Sequence, residues 1–144
     1  CTLDQSIPWR VPMPRSTLPL VYACSGCSNV AQLANTLAVR LDRSGLAEMS
    51  CIVGVGGHVA ALVNKAASGR RIFALDGCAL ECVENCLKQH DLHADVHLIL
   101  NQHGLRKRNG EDCTEAQGDE LFEVIRQLIA TDALQEENRQ ETIA

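Results

Sequence analysis

Between residues 18 and 130, short apolar runs alternate with longer segments whose apolar residues recur every three or four positions. The short runs fall at 18–23, about 49–55, 71–75 and about 95–100, and each reads as a buried strand. The intervening segments read as helices. Val30, Leu33, Ala34, Leu37, Ala38 and Leu41 make one apolar stripe, with Ser25 or Ser28 available as its cap and Gly45 as its stop. A short helix is predicted at 59–67, stopped by Ser68 and Gly69. Ala79, Cys82, Val83, Cys86 and Leu87 share a third face, and Leu121, Val124, Ile125, Leu128 and Ile129 a fourth. Strands separated by helices cannot pair as hairpins. They pair in parallel, because a parallel connection needs a crossover and a helix supplies one.

The expected architecture is therefore α/β: a single domain at 18–130, with a mostly parallel sheet of about four strands and helices on both faces. Crossovers should be right-handed, and the common Rossmann- or flavodoxin-like order, 2-1-3-4, is expected. The chain has 144 residues, of which 46% are hydrophobic, enough for a core without staples. Residues 1–17 hold three of the four prolines and are expected to form an extended or disordered arm. Residues 131–144 are polar and are expected to fray as a tail. A net charge of −5 with only 3% aromatic residues argues against nucleic acid, which selects basic patches and stacking rings. No membrane span or signal peptide is visible in a chain that begins at Cys1. Reduced, clustered thiols in an α/β chain make a cytoplasmic location the expectation.

The eight cysteines are not scattered. "LPLVYACSGCS" ends the first strand in Cys24 and Cys27, and "RRIFALDGCALEC" ends the third in Cys78 and Cys82. In open α/β sheets ligands bind outside the carboxyl ends of the strands, where the order switches. With strands one and three adjacent, both pairs face one crevice. C-x2-C with C-x3-C suits a tetrahedral site of four thiolates, as zinc takes. An iron–sulfur cluster accepts the same ligands. If the helix includes Cys78, then Cys82 lies one turn on and can share an ion with it, whereas Cys86 lies two turns on and is expected to pack in the core.

"CSGCSNVAQLAN", "AEMSCIVGVGG" and "DGCALEC", in that order over about residues 20–100, resemble the DGC-domain family, which is named for the triplet found here as Asp76-Gly77-Cys78. The resemblance implies a cysteine metal site, with zinc the expected ion; its expected ligands, from the placement of the two pairs, are Cys24, Cys27, Cys78 and Cys82. It implies no particular reaction.

Other features carry weaker readings. Cys51 is a fifth thiol of the site if its strand ends early, and a buried residue if the strand runs to Val55; burial is the expectation. Cys1 and Cys113 receive no role. The "GVGGH" segment could hold a small anion near Gly54–Gly57, but a tight turn is the simpler reading. His58 and His103 are secondary candidates as ligands or proton carriers, while His90, His93 and His97 are assigned to packing or surface. Asp76 is expected to cap the following helix rather than to orient Cys78. A thiol-disulfide role for Cys24-x-x-Cys27 is the alternative function. A cysteine-phosphatase loop is excluded, since it needs an arginine six residues beyond the cysteine and Val30 stands there.

Overall fold

In the computed structural model, which describes residues 14–143, four parallel strands form one sheet in the order β2-β1-β3-β4. They are β1 (Leu20–Ala23), β2 (Glu48–Met49), β3 (Ile72–Asp76) and β4 (Val96–Ile99). The helices are α1 (Asn29–Arg43), α2 (Ile52–Gly56), α3 (Ala60–Ala66), α4 (Cys82–Lys88) and α5 (Glu115–Ile143). The expected class, strand order and parallel pairing all hold. Register places Ala23 opposite Leu75 and Asp76 opposite Ile99, so β1 and β3 end side by side.

Every residue of β1 and β3 is buried, as central strands covered on both faces must be. Right-handed crossovers put α1 on one face and α2, α3 and α4 on the other. α1 packs on β1, β2 and β3 and meets α5, while α2 packs against α4. Val30, Leu33, Ala34, Leu37, Ala38 and Leu41 are all buried, the stripe that the periodicity predicts. Ser28 is the cap of α1: its hydroxyl accepts from Ala31 N at 3.2 Å. Gly45, just past α1, has φ +75°, where glycine is favoured.

Three expectations are corrected, and a fourth falls mostly outside the described residues. β2 stops at Met49, and 52–56 is helix rather than strand. Gly54 is there for packing, since a Cβ would lie 1.9 Å from Leu62 Cδ1. The expected polar tail is the second half of α5, which continues to Ile143. Its anchor is Asp132, buried and paired with Arg71, whose Nε donates to Asp132 Oδ2 at 3.1 Å. The arm at 1–17 lies mostly outside the described residues. Its end, Arg15–Thr17, is a 3-10 turn tied to the domain, with Arg70 donating to the Arg15 carbonyl at 2.7 Å. Finally, α4 begins at Cys82, so Cys78 lies in the turn before it. Glu81 breaks the helix there with φ 50°.

Candidate functional site

The parallel register brings two loops to one edge. After β1 the chain turns through Cys24-Ser25-Gly26-Cys27 into α1. After β3 it turns through Asp76-Gly77-Cys78 toward α4. Cys24 N donates to Leu75 O at 3.0 Å, which continues the β1–β3 ladder into the first loop.

The Asp76-Gly77-Cys78 triplet has a physical basis at each position. Asp76 is buried, 1% exposed, at the end of β3. Its carboxylate accepts from Val83 N at 2.9 Å and Glu84 N at 3.5 Å, the orphan donors of the first turn of α4. His97 Nε2 lies 2.7 Å from Oδ2 of the same carboxylate, the oxygen that also accepts from Glu84 N. Asp76 thus caps α4 from a neighbouring strand. Gly77 meets α1: a Cβ there would lie 2.8 Å from both Ala31 N and Val30 C. Cys78 follows, half-buried, in the turn before α4.

Cys24 is the one buried thiol among the described cysteines. Its sulfur accepts from Gly77 N at 3.1 Å, which joins the two loops directly. Burial pushes its pKa up to about 11, opposed by the Gly77 N–H, while the nearby Asp76, Cys82 and Cys78 push it higher. At neutral pH Cys24 is therefore a thiol. The folded pKa lies above the ordinary value of 9.0. Between these two values the unfolded chain loses this proton first, so its contribution to stability falls as pH rises through that window. Alkylation of the native protein with iodoacetamide, followed by pH, should show Cys24 reacting last among the site thiols. Its rate should still be climbing above pH 9, and a Cys24 that reacts as fast as Cys27 at pH 8 would contradict the burial.

The structure brings Cys24, Cys78 and Cys82 to one end of the sheet. Cys82 opens α4 and is exposed. Cys27 is exposed, and its Sγ faces the side-chain oxygen of Asn109 at 3.8 Å. Among the described residues, no three His, Cys, Asp or Glu side chains stand arranged to hold a metal ion. The donor chemistry suits a thiophilic metal, but the side chains do not close around one point.

The remaining candidates separate clearly. Cys51 is not mid-sheet: it is exposed beyond β2 and caps α2, its sulfur accepting from Gly54 N at 3.4 Å. Cys86 lies one turn into α4 and packs under α2, where a Cβ on Gly56 would come within 2.9 Å of its sulfur. His58 is exposed, bonded to Gln89 at 3.1 Å and edge-on to His90. His90 meets the Val55 carbonyl at 2.7 Å and His93 meets Glu84 at 3.1 Å. His103 is exposed on the loop after β4.

Sequence reasoning missed Asn29, Lys107 and Asn109. Lys107 Nζ donates to Cys78 Sγ at 3.4 Å. The one sequence signal was the basic run Arg106-Lys107-Arg108 in an otherwise mixed loop.

The DGC domain family model matches residues 20–125, which contain every cysteine of the site. A curated protein of Pseudomonas aeruginosa, "Anaerobic and virulence modulator AnvM", is 60% identical over 116 residues, spanning 81% of this chain and 88% of that protein. No solved structure matches the chain. No helix of the described residues is long and apolar enough to cross a membrane.

Proposed function

This chain belongs to the DGC-domain family, and on that premise we propose that it is a regulatory zinc-binding protein whose ligands are Cys24, Cys27, Cys78 and Cys82. The observation that carries the reading is the join at Cys24. One buried sulfur, bonded to the backbone of the opposite motif, sits beside Cys78 and Cys82 at the carboxyl ends of adjacent strands. Cys27 and Cys82 are exposed at the starts of α1 and α4, where turning a side chain costs little packing.

Zinc held by four thiolates has no open position for water, so it supplies structure or sensing rather than hydrolysis. The chain's own residues set the conditions. Cys24 must give up its proton to become a ligand, so affinity should rise with pH. Gly77 N–H is already placed to hold a negative sulfur. Asp76 and His97 fix the start of α4, and with it Cys82. A modulating rather than catalytic role also matches the printed name of the Pseudomonas relative.

The raised pKa of Cys24 counts against the thiol-disulfide alternative, which needs an activated thiolate. Iron–sulfur ligation uses the same four residues, and colour separates it. Protein purified without oxygen and without a metal-affinity tag should be colourless and carry about one zinc per chain. Cys82→Ser should lower the zinc content strongly. Cys86→Ser should leave it intact, because that thiol packs against Gly56. Brown protein would favour an iron–sulfur cluster, and zinc content unchanged by Cys82→Ser would remove this residue from the site.

A further inference from the structure

The segment between β4 and α5 is a fixed strap over the cysteine edge. Leu105 is buried and pins it at one end. Asn29, the first residue of α1, then grips it three times. Its Nδ2 donates to Arg106 O at 2.9 Å, its Oδ1 accepts from Arg108 N at 2.7 Å, and its backbone N donates to Arg108 O at 2.9 Å. Ser28 and Asn109 add an antiparallel bridge. All the gripping on the strap side is by backbone, which leaves its side chains free for other work.

Those side chains are Arg106, Lys107, Arg108 and Asn109, all exposed. Lys107 Nζ reaches Cys78 Sγ at 3.4 Å, and Asn109 reaches Cys27 at 3.8 Å. The strap therefore touches one thiol from each motif. Glu111 answers one of its cations, meeting Arg108 at 3.5 Å. Lys107 lies directly on the Cys78 sulfur, and Arg106 and Arg108 flank it in the sequence, so on a chain of net charge −5 this short run concentrates positive charge at the cysteine edge.

We propose that this strap is an anion-selecting wall of the cysteine site, so that a small molecule meeting Cys27 and Cys78 in the metal-free chain carries carboxylate or oxyanion charge. The proposal takes the same site as the zinc reading, but its test uses metal-free protein, so either can fail without the other. A single charge about 4 Å away in a water-like dielectric changes the local concentration of a monoanion by about fivefold.

The test compares two alkylating probes on the full, reduced, metal-free chain at low salt: iodoacetate, an anion, and iodoacetamide, its neutral analogue. In both reactions the sulfur forms a C–S bond and iodide leaves. Both consume the same thiolate, so the ratio of their rates cancels thiol ionisation and reports only selection for charge. Site-resolved mass spectrometry should give an iodoacetate-to-iodoacetamide ratio about three- to tenfold higher at Cys78 than at Cys51, an exposed thiol whose neighbouring cations Arg15, Arg43 and Lys65 are each paired with a carboxylate. Arg106→Gln, Lys107→Gln and Arg108→Gln together should bring the Cys78 ratio down to that of Cys51, leaving Cys51 unchanged. Lys107→Gln alone should go part of the way. About 0.5 M salt should flatten the wild-type difference. Equal ratios at Cys78 and Cys51 in the wild type, or a Cys78 ratio indifferent to the substitutions, would overturn the proposal.

Discussion

Replacing Asp76 with alanine should lower the midpoint of thermal unfolding by roughly 10 °C. The carboxylate is buried, and it serves three partners that have no other: Val83 N at 2.9 Å, Glu84 N at 3.5 Å and His97 Nε2 at 2.7 Å. Alanine would orphan two backbone donors at the start of α4 and leave His97 with only Glu81, 3.5 Å from its Nδ1. Orphaning a buried group costs about 1–3 kcal/mol, and the long Glu84 contact contributes least, so the total should be about 3–4 kcal/mol. At about 3 °C per kcal/mol for a chain of this size, that gives the stated shift. Asp76→Asn retains an acceptor for Val83 N and should lose about half as much. Denaturant unfolding at fixed pH measures both, and a loss under about 1 kcal/mol for alanine would show that α4 does not depend on this cap.

Gly77→Ala should be nearly as damaging, for a different reason. The new Cβ would stand 2.8 Å from Ala31 N and Val30 C and 3.0 Å from Val30 O. All three are backbone atoms in the first turn of a 15-residue helix, so no side chain can swing aside. Either α1 or the loop after β3 must move. Overpacking of this kind costs about 1–3 kcal/mol, and the rigid neighbours argue for the upper end. The same movement should break the Gly77 N–H bond to Cys24 and the Asn101 bond to Gly77 O, now 3.1 Å each. Stability and zinc affinity should fall together. Unchanged zinc affinity in a destabilised Gly77→Ala protein would separate the loop from the site.

The parts legible in the sequence were those set by local periodicity. The stripe from Val30 to Leu41 specifies α1 because a helix repeats about every 3.6 residues, and the strand order is the common one of doubly wound sheets. The cysteine edge was legible because strand ends carry loops, and both pairs sit at strand ends. What escaped notice depends on contacts distant in sequence or on single backbone angles. "CIVGVGG" reads as strand from its β-branched residues, yet Gly54 lets Leu62 pack close and the segment coils into α2. Residues 131–143 read as a loose tail because Asp132 finds its partner 61 residues away, at Arg71. Helical phase made Cys78 and Cys82 turn-mates, but the positive φ of Glu81 starts α4 at Cys82. One local signal was there to be read: Thr114-Glu115-Ala116-Gln117 is a capping box. Thr114 Oγ1 accepts from Gln117 N at 3.2 Å, and Gln117 Oε1 accepts from Thr114 N at 2.9 Å. The strap was invisible for the same reason as the tail, since Asn29 reaches residues 77 and 79 positions away.

The central claim, that the two cysteine motifs close on one zinc ion, is tested most directly by X-ray absorption at the zinc edge on protein purified without oxygen. The account predicts a first shell of about four sulfur neighbours near 2.3 Å, falling to about three sulfurs plus one lighter atom in any Cys82→Ser protein that retains metal. A shell of nitrogen or oxygen near about 2.0 Å, or one untouched by that substitution, would contradict it.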